Sequence, residues 1–325
     1  MRVVAVALLF ITCLAAGCYS PGYRDCEITC ASGACPSGFS CDQGVCRIDG
    51  FSGPCGQQMS DAPNQFLDAM IDGNPMLDSD GDGIKDNVDN CRLKSNPNQE
   101  NEDGDLFGDV CDPCPPSQNN TDGDGDGVGD LCDPEPTQTG NVITLFDGFN
   151  YAQPPANVVL FPSASWTFPL GQVRLANLGG NQRAAYVFPQ QGNGQNIVDA
   201  VYTSYSISQI STGIPAGVGV VQRFDASQQN GVACLMGRGV TGIPSIRVVA
   251  TNDEPSARES AAPFQSGQVV EMVFFRAGQQ YDCRDLVSPS AVTAPQQFIV
   301  PTASVGLYSQ GTQADFNWIM VVSRQ

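Results

Sequence analysis

The sequence predicts a mainly β protein in three parts: a small disulfide-rich N-terminal module, an irregular acidic stalk and a C-terminal antiparallel β-sandwich. Three observations predict it. From Asn141 onward, Gly and Pro mark turns every eight to twelve residues between short runs of Val, Ile, Phe and Tyr, and no run reads as a convincing helix. Residues 19–56 carry six cysteines in a span too short for a hydrophobic core. Residues 78–135 hold 3 Lys/Arg against 17 Asp/Glu and so carry most of the chain's formal −19, whereas residues 136–325 balance at 9 against 10. Such a chain does not seek nucleic acid. Its acidic block is repelled by anionic phospholipid and calls for cations.

Arg2, the apolar run Val3–Leu14 and the small residues before Cys18 make residues 1–17 a secretory signal peptide, too short to span a bilayer comfortably. Leu14-Ala15-Ala16-Gly17-Cys18 resembles the bacterial lipobox, with Ala15 standing where that motif prefers Leu. The resemblance implies lipidation of Cys18 and a membrane contact through that N-terminal lipid only. Tyr19 and Ser20, with no Asp after the cysteine, imply the outer membrane or cell surface rather than inner-membrane retention. Ordinary cleavage after a small residue is the alternative.

Of the fourteen cysteines, Cys13 falls in the signal and Cys18 goes to lipid. The remaining twelve form even groups, which in an exported chain read as disulfides rather than catalytic thiols. Cys26, Cys30, Cys35, Cys41, Cys46 and Cys55 staple residues 18–56, and their connectivity stays open. CPSGFSCDQGVC resembles EGF-like knots in texture. Zinc is the rival use of such spacing, but the chain has no His. Residues 57–77, punctuated by Pro63 and Gly73-Asn74-Pro75, read as a flexible linker.

The acidic block repeats a loop of twelve positions with oxygen donors at positions 1, 3, 5, 9 and 12. The first copy has Asp78, Asp80, Asp82, Asp86 and Asp89, with Gly83 at position 6. The second has Asn101, Asp103, Asp105, Asp109 and Asp112, with Leu106 in place of the Gly. The third has Asp122, Asp124, Asp126, Asp130 and Asp133, with Gly127. Alternate side chains in a tightly curling loop converge on one centre. Position 7 donates its backbone carbonyl, which leaves the side chains of Ile84, Phe107 and Val128 free. A carboxylate cage without His or thiolate fits Ca²⁺, which takes six to eight oxygens in forgiving geometry, and disfavours zinc and copper. Asp at position 12, and the lack of flanking amphipathic helices, separate these loops from EF-hands.

DSDGDGIKDNVDNC and DGDGDGVGDLCD closely resemble the thrombospondin type 3 repeat, and the NPNQ and CPP segments fit it as well. The resemblance covers residues 78–135 and implies several bound Ca²⁺ ions, with disulfides Cys91–Cys111 and Cys114–Cys132 linking successive repeats. Asn101 and Leu106 depart from the pattern. Carboxylates so crowded predict a block that is loose without Ca²⁺ and compact with it.

Candidate strands of residues 141–325 are NVITLF, WTF, QVRLA, AAYVF, IVDAVYTSYSI, GVGVVQRF, GVACLMG, SIRVVAT, QVVEMVFFRA, SVGLYS and DFNWIMVV. In IVDAVYTSYSI, Ile197, Val201, Thr203, Tyr205 and Ile207 share one face, a half-buried alternation. TNDEPSARES reads as a turn. LFDGFNY with SWTFPLGQVRLA, and the closing SVGLYSQGTQADFNWIMVV, resemble the first and last strands of concanavalin A-like jelly rolls, lectin- and glucanase-like sandwiches whose two chain ends pair in one sheet. Trp166 and Trp318 read as core residues before sugar-stacking ones, and Cys234 and Cys283 bridge two strands. The Glu-x-Asp-x-Glu array of jelly-roll glycosidases is missing and the chain lacks His, so the reading is not an enzyme. The sequence thus points to a calcium-stiffened, lipid-anchored envelope protein that offers its sandwich to a glycan or surface partner. A ligand-free architectural spacer and a divergent glycoside hydrolase are the alternatives.

Overall fold

The computed structural model describes residues 39–42, 45–48, 77–161, 166–176, 182–189, 197–225, 230–251, 253–277, 279–295 and 304–324. The signal segment, Cys18, most of the cysteine-rich module and the linker lie outside these residues. The chain divides into two compact units, Met1–Gly73 and Asn74–Gln325. In the first, β1 (Phe39–Asp42) and β2 (Val45–Ile48) form an antiparallel hairpin with Cys41 opposite Cys46.

The second unit opens with the acidic loops and continues into two antiparallel sheets, and among its described residues there is no helix. Its strands are β3 (Asn141–Asp147), β4 (Val159–Phe161), β5 (Trp166–Thr167), β6 (Val173–Leu175), β7 (Arg183–Phe188), β8 (Ile197–Ile210), β9 (Ala216–Asp225) and β10 (Asn230–Arg238). They continue with β11 (Pro244–Ala250), β12 (Asp253–Ala261), β13 (Val269–Ala277), β14 (Gln280–Asp285), β15 (Ser290–Pro295), β16 (Val305–Gln310) and β17 (Thr312–Arg324). One sheet runs β12-β11-β10-β9-β16-β7-β4, and the other β15-β14-β13-β8-β17-β6-β5, with β3 also paired to β17. The register sets Asn141 opposite Arg324, so the two ends of the sandwich lie side by side as the jelly-roll resemblance implies.

Alternation along the strands fills the space between the sheets. Val218, Val220, Cys234, Met236, Leu307 and Tyr186 from one sheet meet Val201, Tyr205, Met272, Phe274, Phe316 and Val321 from the other. Tyr186 centres an aromatic group, with ring centroids 5.6 Å from Trp166, 5.9 Å from Phe149 and 5.3 Å from Phe188. Trp166 is thus committed to the core. Cys234 of β10 and Cys283 of β14 join the two sheets through this core.

Two expectations change. Strand β8 is buried on both faces rather than half-buried: Val201, Tyr205 and Ile207 face the core, while Ala200 and Tyr202 face the acidic block lying on the outside. Thr203 shares that burial and donates its hydroxyl to the Trp318 carbonyl at 2.7 Å. The segment read as a turn, around TNDEPSARES, is instead the strand β12, which pairs only with β11 at the edge of its sheet. Charges and a proline are tolerated on such an edge.

Candidate metal centre

Each acidic loop is drawn shut by its own carboxylates bonding its own backbone. At position 3, Oδ1 of Asp80, Asp103 and Asp124 accepts the N–H of position 5, at 3.1, 3.0 and 3.2 Å. At position 5, Oδ1 of Asp82, Asp105 and Asp126 accepts the N–H of Ile84, Phe107 and Val128, at 2.7, 2.6 and 3.0 Å. At position 9, Asp86, Asp109 and Asp130 each accept the N–H of position 2 and so hold the two limbs together. At position 12, Oδ1 of Asp89, Asp112 and Asp133 accepts the N–H two residues on.

At positions 3 and 12 these bonds occupy one carboxylate oxygen only. Oδ2 of Asp80, Asp103 and Asp124, and Oδ2 of Asp89, Asp112 and Asp133, are all buried without a hydrogen-bond partner. Six orphaned oxygens at the same two positions of three loops are what a hard cation held by carboxylates requires. Carboxylates of Asp78, Asp80 and Asp82, of Asp103, Asp105 and Asp112, and of Asp122, Asp124 and Asp126 lie within 4.8 Å of one another in each group. Asp86, Asp109 and Asp130, together with Asp89 and Asp133, stand outside these tightest groups. Burial, then neighbouring carboxylates, raises Asp112 to about 7 and, against the Glu102 N–H bond, Asp109 to about 6. Glu102 rises to about 7 for the same first reason. Burial thus makes each of these groups harder to ionise than a free carboxylate, a cost that nearby positive charge offsets.

The middle loop shows how its two departures fit together. In the outer loops, Asp78 and Asp122 use Oδ1 for the N–H of position 4 and Oδ2 for that of Gly83 or Gly127, whose φ values are +96° and +94°. Asn101 keeps the first bond, to Gly104, but its Nδ2 donates to the Asp105 carbonyl. The amide removes the second acceptor, so position 6 has no need of a left-handed backbone and Leu106 stands there, outside the positive-φ region. Position 4 is glycine in all three loops, at φ +78°, +72° and +80°.

Sequence reasoning missed the residues that join one loop to the next. Oδ2 of Asp82 accepts the Asn96 N–H at 2.8 Å, and Oδ2 of Asp105 accepts Nδ2 of Asn120 at 2.7 Å. Oδ2 of Asp126 accepts the N–H groups of Gly140 and Asn141, at 3.0 and 2.7 Å. An Asn therefore follows each position-5 Asp by fourteen or fifteen residues, a spacing visible in the chain. Disulfides Cys91–Cys111 and Cys114–Cys132 add covalent ties, offset along the chain from these links.

The block lies against the sandwich. Val128 and the Cys114–Cys132 disulfide pack on Ala200, Tyr202, Val273, Met320 and Val322, the outward side chains of β8, β13 and β17. Trp318 shares this seam, tilted on Phe146 with centroids 6.2 Å apart. Val128 is only 1% exposed, so the position-7 side chain expected to be free is a packing residue in the third loop. Arg324 pairs with Glu135, just beyond that loop, and reaches Asp199 at 3.8 Å. A cavity of about 290 Å³ remains between Asp109, Asp112 and Asp126 of the loops, Lys94, and the strand β3.

Acidic loops that close on their own backbone, cross-linked by disulfides and laid on an antiparallel sandwich, define a repeat built to gather cations beside a jelly-roll-like domain. The thrombospondin type 3 repeat family matches residues 77–99. No curated protein matches the chain. Among solved structures the chain is similar to lectin II from Ulex europaeus, at 11% identity and a TM-score of 0.41, covering 57% of this chain and 100% of that one. It is similar to the carbohydrate-binding module CBM66 from Bacillus subtilis, at 13% identity and a TM-score of 0.36, covering 50% and 92%. A GH43 protein from Bacillus licheniformis is 14% identical with a TM-score of 0.38 over 54% of this chain, which spans 38% of that protein's length.

Proposed function

We propose that this is an exported calcium-binding protein, tethered by lipid at Cys18 to the outer membrane or cell surface, whose ion-loaded repeats brace a sandwich that binds a glycan or surface partner. The observation that carries the calcium reading is the set of six orphaned oxygens, Oδ2 at positions 3 and 12 of every loop. Each lies beside a sister oxygen already satisfied by backbone, so an ion completes the set without remodelling the loop. Bound Ca²⁺ supplies positive charge that lets the crowded carboxylates ionise together. The chain's own residues do the rest, with position 9 shutting each loop and position 5 fastening it to the next segment.

The partner reading rests on the resemblance of the terminal strands to concanavalin A-like jelly rolls, which sets glycans as the ligand class to test. The role is one of binding rather than catalysis. Calcium titration calorimetry on the full chain, at the ~10⁻⁴–10⁻³ M affinities of extracellular modules, tests the first half. A glycan array with and without Ca²⁺ tests the second. Heat of calcium binding with an empty array favours the architectural alternative, in which the brace itself is the function, and the packing of Val128 and Cys114–Cys132 on the outer sheet face supports that alternative. No heat on addition of millimolar Ca²⁺ would sink the calcium reading.

A further inference from the structure

We propose that the end of the sandwich remote from the acidic repeats is a lipid-contacting surface, where exposed aliphatic side chains enter the interfacial layer of an uncharged bilayer. Ile214, Val240, Ile243, Val269, Leu286 and Val287 are each between 46% and 58% exposed. The strand registers gather them at one end. Ile210 and Thr312 are opposite each other there, as are Ala216 and Arg238, Arg238 and Pro244, and Val269 and Ser206. Leu286 joins them through its N–H, which donates to the Glu271 carbonyl at 2.7 Å. Asn141 and Arg324, where the third acidic loop is fastened, mark the other end of β17.

The four connections bearing or flanking these side chains, residues 211–215, 239–243, 265–268 and 286–289, contain no charged residue, in a chain with 34 acidic and 15 basic ones. Of the charges just behind them, Arg238 and Asp285 are drawn into the turns and Glu259 is tied to neighbouring hydroxyls, while the side chains of Glu259 and Glu271 remain exposed. Arg238 donates to the Ser211 carbonyl at 2.8 Å and lies over the Phe264 ring. Asp285 accepts from the Val287 N–H and the Ser288 hydroxyl, and Glu259 accepts from Ser245 and Thr241. Turn backbone is satisfied locally, by Gly242 N–H to Gly239 carbonyl and Ser211 N–H to Gly311 carbonyl, both 2.9 Å, which lowers the cost of leaving bulk water.

Chemistry separates a bilayer from a protein partner. Protein hot spots draw on Trp, Tyr and Arg seated in pockets. The six side chains here are aliphatic and stand on several separate loops, and a fluid surface adapts to such an outline. Shallow insertion of apolar side chains without charge matches interfacial binding driven by apolar area.

The test uses residues 18–325 with Cys18→Ala, so that neither the apolar signal segment nor an acyl chain contributes, in saturating Ca²⁺, sedimented with phosphatidylcholine vesicles. The protein should sediment with the vesicles, and equally when ionic strength is raised about tenfold. The variant Ile214→Ser/Ile243→Ser/Leu286→Ser should lose vesicle binding by at least about tenfold while keeping its thermal unfolding midpoint. Sedimentation that persists in this variant, binding that disappears with salt, or a protein left wholly in the supernatant each overturns the proposal. So does self-association without vesicles that the same substitutions abolish, which makes the surface an interface with a second copy.

Discussion

Asn141→Ala isolates the joint between the third acidic loop and the sandwich. Asn141 is 3% exposed. Its backbone N–H, which Ala retains, donates to Oδ2 of Asp126. Its Nδ2 donates to Oδ1 of Asp133 at 2.5 Å, and this bond alone is lost, because Asn141 Oδ1 has no partner. Asp133 Oδ1 keeps the Glu135 N–H at 2.7 Å, so no new orphan is created. The loss is one hydrogen bond to a charged group, about 1.5–3 kcal/mol. If it falls on the orientation of Asp133, the third site weakens by at least about tenfold, since each 1.4 kcal/mol is tenfold in affinity. Burial raises Asp133 to about 6 and Asn141 opposes that rise, so the variant should also release calcium at a higher pH than the parent. Calorimetric calcium titration at two pH values, alongside urea unfolding in Ca²⁺, reads all three effects. A stability change under about 0.5 kcal/mol with an unchanged titration would refute the assignment. So would a loss spread evenly over every site.

Without calcium, Asp109, Asp112, Asp133 and Glu102 titrate at about 6 to 7 in the folded chain, above their values near 4 when unfolded. The folded state therefore holds more protons, and stability is full below about pH 4 and is lost as pH rises toward 7. The thermal midpoint in EGTA should fall across that window and stay level in Ca²⁺; a midpoint rising in EGTA contradicts the reasoning. Gly108→Ala places a Cβ against the Asn90 side chain and 2.8 Å from Nδ2 of Asn96, and should weaken the middle site while leaving the third intact in the same titration. Replacing Cys91 and Cys111 by Ser opens a loop spanning a sequence separation of 20 and should cost about 3 kcal/mol in urea unfolding, with no cost found if the loops alone hold the segment.

The acidic loops were legible because their chemistry is local. Asp at alternate positions, a turn glycine and an in-phase Cys all fall within a dozen residues, and the disulfide pairs came from the repeat's resemblance. The links between loops lay further off: Asn96, Asn120 and Asn141 act fourteen or fifteen residues beyond the aspartates they serve, and no motif within a single loop points to them. Strand β12 was hidden because an edge strand satisfies one neighbour only, so its sequence keeps the Pro and charges of a turn. The burial of β8 on both faces was hidden differently. Ala200 and Tyr202 look like the weaker face of an amphipathic strand, and nothing in the strand itself says that another part of the chain covers them.

That covered face changes what calcium is asked to do. Ala200, Tyr202, Val273, Met320 and Val322 form an apolar outer surface on the sheet, and Val128 with the Cys114–Cys132 disulfide is the lid. The lid comes from a loop whose carboxylates repel one another until an ion neutralises them, while β3 and β17 are held in register from within the sheet. Removing calcium should therefore loosen the cover before it loosens the sandwich, and expose a contiguous apolar patch on an otherwise folded domain. The Arg324–Glu135 pair and the bonds from Gly140 and Asn141 to Asp126 sit at the chain position where cover and sandwich meet. On the proposed calcium reading, the ion should act there as the fastener that keeps one face of the sheet out of water, so that rigidity of the repeats and solubility of the sandwich would be set together.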